Sequence, residues 1–120
     1  MQITRCLHAA VLVSDLEKAE HFYSNVLGLP KVERVLKYPG AWYRVGEFQI
    51  HLIVDPSIQS ALQNPEKWGR NPHIALSVAD LDAAKTKLLI HNCAIQASAS
   101  GRAALFIQDP DGNIVELSQA

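Results

Sequence analysis

The sequence predicts an α+β fold made of two copies of one βαβββ module. The first observation is an internal repeat: a shift of 65 positions brings His8 onto His73, at the heads of the similar stretches HAAVLVSDL and HIALSVADL. The second is that the same shift, without a gap, brings His51 onto Glu116. The third is that strand-like and helix-like hydrophobic patterns follow the same order in both copies. Each copy thus carries one potential ligand early and another late.

The first module begins with a strand over residues 5–13, which are short, apolar and partly β-branched. Ser14 precedes Glu17 by three positions, the spacing of a capping box at a helix start. Gly28 suits the left-handed position that ends a helix, and Pro30 prevents its continuation. The inward face of this helix is predicted to carry Leu16, Ala19, Phe22, Tyr23, Val26 and Leu27.

A second strand is predicted over residues 31–36, and residues 41–45 and 48–54 form a hairpin around Gly46. Because side chains alternate along a strand, Gln49 and His51 share one face, whereas the opposite face is wholly apolar. The apolar face is expected to pack on the helices, which leaves His51 on an open, functional face.

Residues 55–72 interrupt the pattern with three prolines and many amides, and hold at most a helical turn or two over residues 57–63. We interpret the chain as one domain with module one at about 1–55, a connector at about 56–71 and module two at about 72–120. Module two repeats the order of elements, with Asp80 as the helix cap and Leu81, Ala84, Leu88 and Leu89 along the helix. Its strands are predicted at 73–78, 93–97, 103–108 and 114–118, with a turn at 109–113.

The composition narrows the class of protein. With 120 residues and a net charge of −1 spread along the chain, nucleic acid and anionic membranes are not expected as partners. No apolar run approaches the roughly 20 residues of a membrane span, and the first residues lack the apolar stretch of a signal peptide. Cys6 and Cys93 are isolated, as in a cytoplasmic protein with reduced thiols.

The repeat predicts a metal site. A single strand histidine is more often structural than a ligand, but four matched positions under one shift require a shared explanation. If the two halves face one another, His8, His51, His73 and Glu116 converge. Imidazole and carboxylate together suit Zn²⁺, Ni²⁺, Co²⁺ or Fe²⁺ better than Mg²⁺ or Ca²⁺. The small side chains beside these positions leave room for a small-molecule substrate.

Several motifs resemble the vicinal oxygen chelate superfamily, which includes glyoxalase I, extradiol dioxygenases and bleomycin-binding proteins. They are FYSNVLG at 22–28, HIALSV at 73–78 and DPDGNIVE at 109–116, and the resemblance covers essentially the whole chain. It implies a cup-shaped, mostly antiparallel sheet with helices outside, commonly within a homodimer. It also implies that a metal is bound by His8, His51, His73 and Glu116, and that the substrate chelates this metal through two adjacent oxygens. Glu116 is further implied to be catalytic.

The resemblance does not select one reaction. Leu12 stands where bacterial glyoxalase I has an arginine that contacts glutathione, and His51 stands where that enzyme has Glu and epimerases have Gln or Glu. We therefore expect isomerase, epimerase or lyase chemistry on a small oxygenated, anionic substrate. One alternative is an Fe(II) dioxygenase of the extradiol type, and another is a small-molecule binding or resistance protein without catalysis. Candidate substrate-binding residues are Trp42, Arg44, Gln49, Arg102 and Phe106.

Overall fold

Two four-stranded mixed sheets form the framework of the protein in the computed structural model, which describes all of residues 1–120. The chain divides into two compact units, Met1–Ile58 and Gln59–Ala120, and each unit contains one sheet. Each half contains one α-helix and four strands. The predicted α+β class and the βαβββ order are confirmed.

The first unit contains the sheet β1-β4-β3-β2, in which β1 is parallel to β4 and the other neighbours are antiparallel. Its elements are β1 (His8–Val13), α1 (Leu16–Glu20) with a π-helical continuation (His21–Val26), β2 (Lys31–Val32), β3 (Gly40–Val45) and β4 (Phe48–Val54). The largest side chains that its core buries completely are Val13, Tyr23, Tyr43, Ile50 and Leu52. Each buried aliphatic side chain of this size contributes about 1.5–3 kcal/mol to folding.

The second unit contains the sheet β5-β8-β7-β6, with the same pattern of one parallel and two antiparallel pairs. Its elements are a 3₁₀ turn (Trp68–Arg70), β5 (His73–Val78), α2 (Leu81–Ile90), β6 (Gln96–Ala97), β7 (Ala104–Gln108) and β8 (Ile114–Gln119). The buried side chains of β7 and β8, together with Leu88 of α2, form its core.

The internal repeat extends to the hydrogen-bonding register. Ala10 of β1 lies opposite His51 of β4, and Ala75 of β5 lies opposite Glu116 of β8. The shift of 65 positions maps one of these pairs onto the other. Since a slip of one residue would turn every side chain to the other face, the shared register gives His51 and Glu116 the same place within their own units.

The two helices begin at equivalent aspartates. The Asp15 side chain accepts a hydrogen bond from the backbone N–H of Lys18, and Asp80 does the same for Ala83. The prediction that Ser14 caps the first helix was wrong, because the adjacent Asp15 occupies the extended cap position and supplies the side-chain bond. The predicted cap at Asp80 is confirmed.

The first helix is not α-helical throughout. It changes to a π-helix at His21–Val26, and the N–H of Leu27 donates to the carbonyl of Phe22, five residues back. Of the predicted inward face, Ala19, Phe22, Tyr23 and Val26 are buried. Gly28 follows with φ of +71°, so its predicted left-handed conformation is confirmed.

Several predicted boundaries were wrong. Strand β1 starts at His8 rather than residue 5, and β2 ends at Val32 rather than 36, after which Arg34 lies over the indole of Trp42. Strand β6 covers only Gln96–Ala97. Residues 57–63 form no helix, which is within the prediction of at most a turn or two, and the N–H of Gln63 donates to the side-chain oxygen of Asn71. Leu89 lies in α2 as predicted and is 57% exposed.

Candidate metal and substrate site

Three aromatic rings are stacked on the face of the first sheet predicted to be functional. The His51 ring lies between His8, at a centroid distance of 4.1 Å and 14° between planes, and Trp42, at 3.7 Å and 4°. The rings come from the neighbouring strands β1, β4 and β3, which bring them to one level. Arg34 covers the outer face of Trp42 at 4.2 Å. The stack leaves His51 only 7% exposed, although it points away from the apolar stripe.

His51 is also held in its own plane. Its Nε2 donates to Oε1 of Gln49 at 2.8 Å, and Gln49 lies two residues earlier on the same strand face. Burial lowers the pKa of His51, and the positive charges of His8 and Arg34 lower it further. The neutral imidazole, which is the form that binds metals, is therefore favoured at neutral pH.

The two other candidate substrate residues of the first unit lie on the same face. Trp42 is opposite His51 in register, and its indole N–H donates to the hydroxyl of Tyr38 at 2.9 Å. Arg44 is opposite Gln49 and is exposed. A cavity of about 270 Å³ opens beside Trp42 and is lined by residues of the segment 31–42 together with Leu16.

His73 of the second unit has one ring nitrogen engaged and the other available. Its Nδ1 lies 2.7 Å from the backbone carbonyl of Asn71. Because a carbonyl can only accept, Nδ1 must carry the proton, and the neutral ring keeps its lone pair on Nε2. Phe106 meets the ring edge to face, with centroids 5.5 Å apart at 90°. This arrangement is typical of a histidine that binds a metal through Nε2.

Glu116 is a buried carboxylate with one charged partner. It is 7% exposed, and Arg102 donates from Nη2 to its Oε1 at 2.9 Å. Ser118 donates to Oε2 at 3.4 Å. Arg102 also donates from Nε to the hydroxyl of Ser100 at 3.1 Å. A buried carboxylate requires such a partner because desolvation without one is costly, and Arg102 supplies it here.

An aromatic ring flanks each of the two predicted ligands His51 and Glu116, which lie on the last strand of their units. Trp42 lies opposite His51 across β3 and β4, and Phe106 lies opposite Glu116 across β7 and β8. The candidate site residues are thus brought together within each unit: His8, His51, Gln49 and Trp42 in the first, and His73 with Phe106 and Glu116 with Arg102 in the second. No group of three or more His, Cys, Asp and Glu side chains arranged to hold a metal occurs in the structure. A site of four ligands stays a prediction.

The donor chemistry of the predicted ligands fits a divalent transition metal. His73 has a free Nε2 lone pair, the neutral form of His51 is favoured, and Glu116 provides a carboxylate. Imidazole and carboxylate donors of this kind are common ligands of Zn²⁺, Fe²⁺, Co²⁺ and Ni²⁺.

A cavity of about 440 Å³ in the second unit is lined in part by Arg102, the ion-pair partner of Glu116. Phe106 and Gly69 line it together with Ser98 and Ser100, and the basic side chains of Lys67, Arg70 and Arg102 stand around it. Sequence reasoning missed Asn71, Gly69 and Arg34, because their contacts depend on a folded connector and on a strand that ends early. Only the Asn-Pro pair directly before His73 could have suggested a special backbone there.

Comparison with known proteins agrees with this framework. The family model described as the Glyoxalase/Bleomycin resistance protein/Dioxygenase superfamily matches residues 5–117. The chain belongs to this superfamily. The resemblance inferred from the sequence motifs is therefore confirmed.

Two proteins of similar sequence and one solved structure illustrate what the chain resembles. The mitochondrial methylmalonyl-CoA epimerase of Homo sapiens is 32% identical over 131 residues, covering 97% of this chain and 74% of that protein. Lactoylglutathione lyase of Salmonella typhimurium is 26% identical over 125 residues, covering 97% and 93%. The crystal structure of a glyoxalase family protein from Bacillus anthracis has a TM-score of 0.82 at 21% identity, covering 99% and 97%.

Members of the glyoxalase superfamily bind small molecules, and relatives of this chain include both an epimerase and a lyase. None of the helices of this glyoxalase-superfamily chain has the length and apolar character needed to cross a membrane.

Proposed function

We propose that this protein is a metal-dependent enzyme that isomerises, epimerises or cleaves a small, oxygenated, anionic substrate. The observation that carries the proposal is the shared register of the two parallel strand pairs. Ala10 faces His51 and Ala75 faces Glu116, with His8 and His73 two residues earlier on the same strands. A structural role for each side chain alone does not explain why both pairs occur at equivalent positions.

We infer that His8, His51, His73 and Glu116 serve one Zn²⁺, Ni²⁺, Co²⁺ or Fe²⁺ ion. Such an ion, when bound, would act as a Lewis acid and stabilise negative charge on two adjacent substrate oxygens. The chain's own contribution is preorganisation. The ring stack limits the rotation of His51, and the Asn71 carbonyl holds His73 with Nε2 available.

Glu116 is our candidate for the group that takes and returns a proton. It is the only carboxylate among the four, and its burial beside Phe106 keeps bulk water away from its oxygens. Arg102 balances its charge with a single hydrogen bond to Oε1. Oε2 receives only the long bond from Ser118, so it is the oxygen better placed to accept a substrate proton.

The substrate is proposed to be anionic because basic side chains line the cavity that Arg102, the partner of Glu116, borders. Lys67, Arg70 and Arg102 oppose a single acidic residue, Glu66, along its lining. Arg44 provides a further exposed cation on the Gln49 side of the first sheet. Cations with free donor groups bind carboxylates and phosphates by charge-assisted hydrogen bonds.

We also propose a homodimer. Strands β1 and β5 are each the edge of their own sheet. Leu12 of β1 is 47% exposed and points to the same side as His8. An edge strand with exposed apolar side chains favours pairing with another strand. Sedimentation equilibrium with and without metal measures the oligomeric state.

Metal analysis tests the proposal most directly. Purified protein is loaded with Zn²⁺, Ni²⁺, Co²⁺ or Fe²⁺, dialysed and analysed by mass spectrometry for metal content. We expect one ion per set of four ligands in wild type and in His21→Ala, a control that removes an exposed helical histidine. His51→Ala and Glu116→Ala should each weaken binding by at least about 100-fold. Equal, sub-stoichiometric metal in all four proteins would contradict the proposal.

The reaction class is tested on metal-loaded protein. Methylmalonyl-CoA is incubated in D₂O to detect proton exchange, because a relative at 32% identity is named as its epimerase. The methylglyoxal–glutathione hemithioacetal tests isomerisation. Oxygen uptake with catechols that requires Fe²⁺ would instead support the dioxygenase alternative. Tight ligand binding without turnover would support a binding protein.

A further inference from the structure

Asn71 is a buried polar residue at the end of the connector, and it is 4% exposed. Its Oδ1 accepts two hydrogen bonds, from the N–H of Gln63 at 2.7 Å and from the N–H of Asn64 at 2.8 Å. Its Nδ2 donates to the carbonyls of Asn64 at 2.9 Å and Trp68 at 3.0 Å. A side-chain amide offers two donors and two acceptor positions, so this one is fully used and clamps the connector.

The backbone of Asn71 is fixed as well. Its N–H donates to the carbonyl of Trp68 at 3.1 Å, and its extended conformation (φ −84°, ψ 155°) is the one preferred before a proline, here Pro72. In this conformation the backbone carbonyl oxygen of Asn71 lies 2.7 Å from Nδ1 of His73. The side-chain clamp and the contact with His73 therefore belong to one residue.

We propose that Asn71 is a positioning residue that fixes the tautomer of His73. By holding the connector in one conformation it directs its own carbonyl at Nδ1, which keeps the proton on that nitrogen and the lone pair on Nε2. Its value for metal binding rests on the proposed function, whereas its effect on the tautomer does not. Asn71 touches neither substrate nor metal in this scheme and acts only through His73.

The test uses nitrogen NMR on full-length, metal-free protein with ¹⁵N-labelled histidine. Long-range ¹H–¹⁵N spectra distinguish the two neutral tautomers of each imidazole, and His73→Gln assigns the signals. We expect wild-type His73 to carry its proton on Nδ1. In Asn71→Ala the signals should move toward a mixture of tautomers, and Zn²⁺ affinity, measured by chelator competition, should fall by about 10- to 100-fold.

Gln96→Ala is the matched control. Gln96 also clamps the connector, since it accepts from the N–H of Trp68 at 2.8 Å and donates to the carbonyl of Glu66 at 2.9 Å, without contact to His73. This variant should leave the tautomer of His73 unchanged. Asn71→Asp keeps the acceptor oxygen and removes the two donors, and it serves if the alanine variant does not fold.

Each outcome decides between the proposals. An Nε2 proton on wild-type His73, or a tautomer insensitive to both Asn71 variants, overturns the positioning role. A tautomer that responds to Asn71 in a protein that binds no Zn²⁺ supports the positioning role while contradicting the metal-dependent function. Loss of Zn²⁺ binding in Glu116→Ala but not in Asn71→Ala supports the metal-dependent function and contradicts a contribution of Asn71 to metal binding.

Discussion

The indole of Trp42 lies flat on the imidazole of His51, with ring centroids 3.7 Å apart and planes 4° from parallel. His8 covers the other side of the same imidazole. The orientation of His51 is thus set by packing between three neighbouring strands. Preorganisation of this kind lowers the conformational entropy that the protein side chain loses when a ligand binds.

Replacing Trp42 by alanine should lower the free energy of unfolding by about 2 kcal/mol, because it removes a large, half-buried ring and one stacking contact. Urea denaturation measures the change. Trp42→Phe keeps a ring against His51 but loses the hydrogen bond to Tyr38, so it should recover at least half of the loss. Equal destabilisation by both substitutions would show that the hydrogen bond, rather than the stack, stabilises this face.

The Arg102–Glu116 pair should show a coupling energy of about 1 kcal/mol, since the Arg102 side chain is 57% exposed and solvent screens the charge. A double-mutant cycle with Arg102→Ala and Glu116→Gln measures it in metal-free protein. Arg102→Ala alone should be the more damaging change, because it leaves a buried carboxylate without its cation. Strict additivity of the two changes would mean that the pair does not stabilise the fold.

Substituting Gly69 by alanine should destabilise the protein by about 1–3 kcal/mol, the usual effect of overpacking. The added Cβ would lie 2.8 Å from Cζ of Phe106, whose ring is buried against His73. The second change Phe106→Leu opens space at the point of contact, so the double variant should be more stable than additivity predicts. A wild-type melting temperature for Gly69→Ala would show that the Phe106 ring is free to move.

The helix caps offer a matched comparison between the two units. Asp15→Ala and Asp80→Ala should each lower the free energy of unfolding by about 1 kcal/mol, because each removes a hydrogen bond to a backbone N–H three residues later. Asparagine at either position retains an acceptor oxygen and should be nearly neutral. Thermal unfolding of the four variants measures the changes. Equal stability of the alanine and asparagine variants at a position would argue against capping there.

The two cysteines should differ in reactivity. Burial raises the pKa of the Cys93 thiol, so its thiolate fraction at a given pH is smaller than in water, whereas Cys6 is exposed. Iodoacetamide at pH 8 followed by peptide mass spectrometry should show Cys6 alkylated roughly tenfold faster, and the rate for Cys93 should rise toward higher pH. Denaturant should equalise the two rates.

The strand alternation and the Asp80 cap could be predicted because each depends on residues close in sequence. The repeat could be predicted because it requires only a comparison of the sequence with itself. His73, Ala75 and Ser77 are indeed more exposed than the residues between them. The cap of the first helix was harder to predict, because Ser14 and Asp15 both suit a helix start. Only the backbone conformation decides which of the two is the cap.

The contacts that position the candidate ligands could not be predicted. The stack on His51 requires residues from three strands, and the π-helical turn buries Phe22 and Tyr23. The clamp at Asn71 uses backbone groups of a connector whose sequence suggested only irregularity. Each of these features arises from packing between segments distant in sequence.

The two matched strand pairs are alike in geometry and unlike in chemistry, since one presents two imidazoles and the other an imidazole and a carboxylate. Duplication of one gene segment followed by divergence produces this pattern. Two copies of the first half would offer four nitrogen donors and no group able to accept a proton as a carboxylate does. Glu116, the proposed proton-transferring group, therefore has no carboxylate counterpart in the first half, where His51 holds the equivalent position.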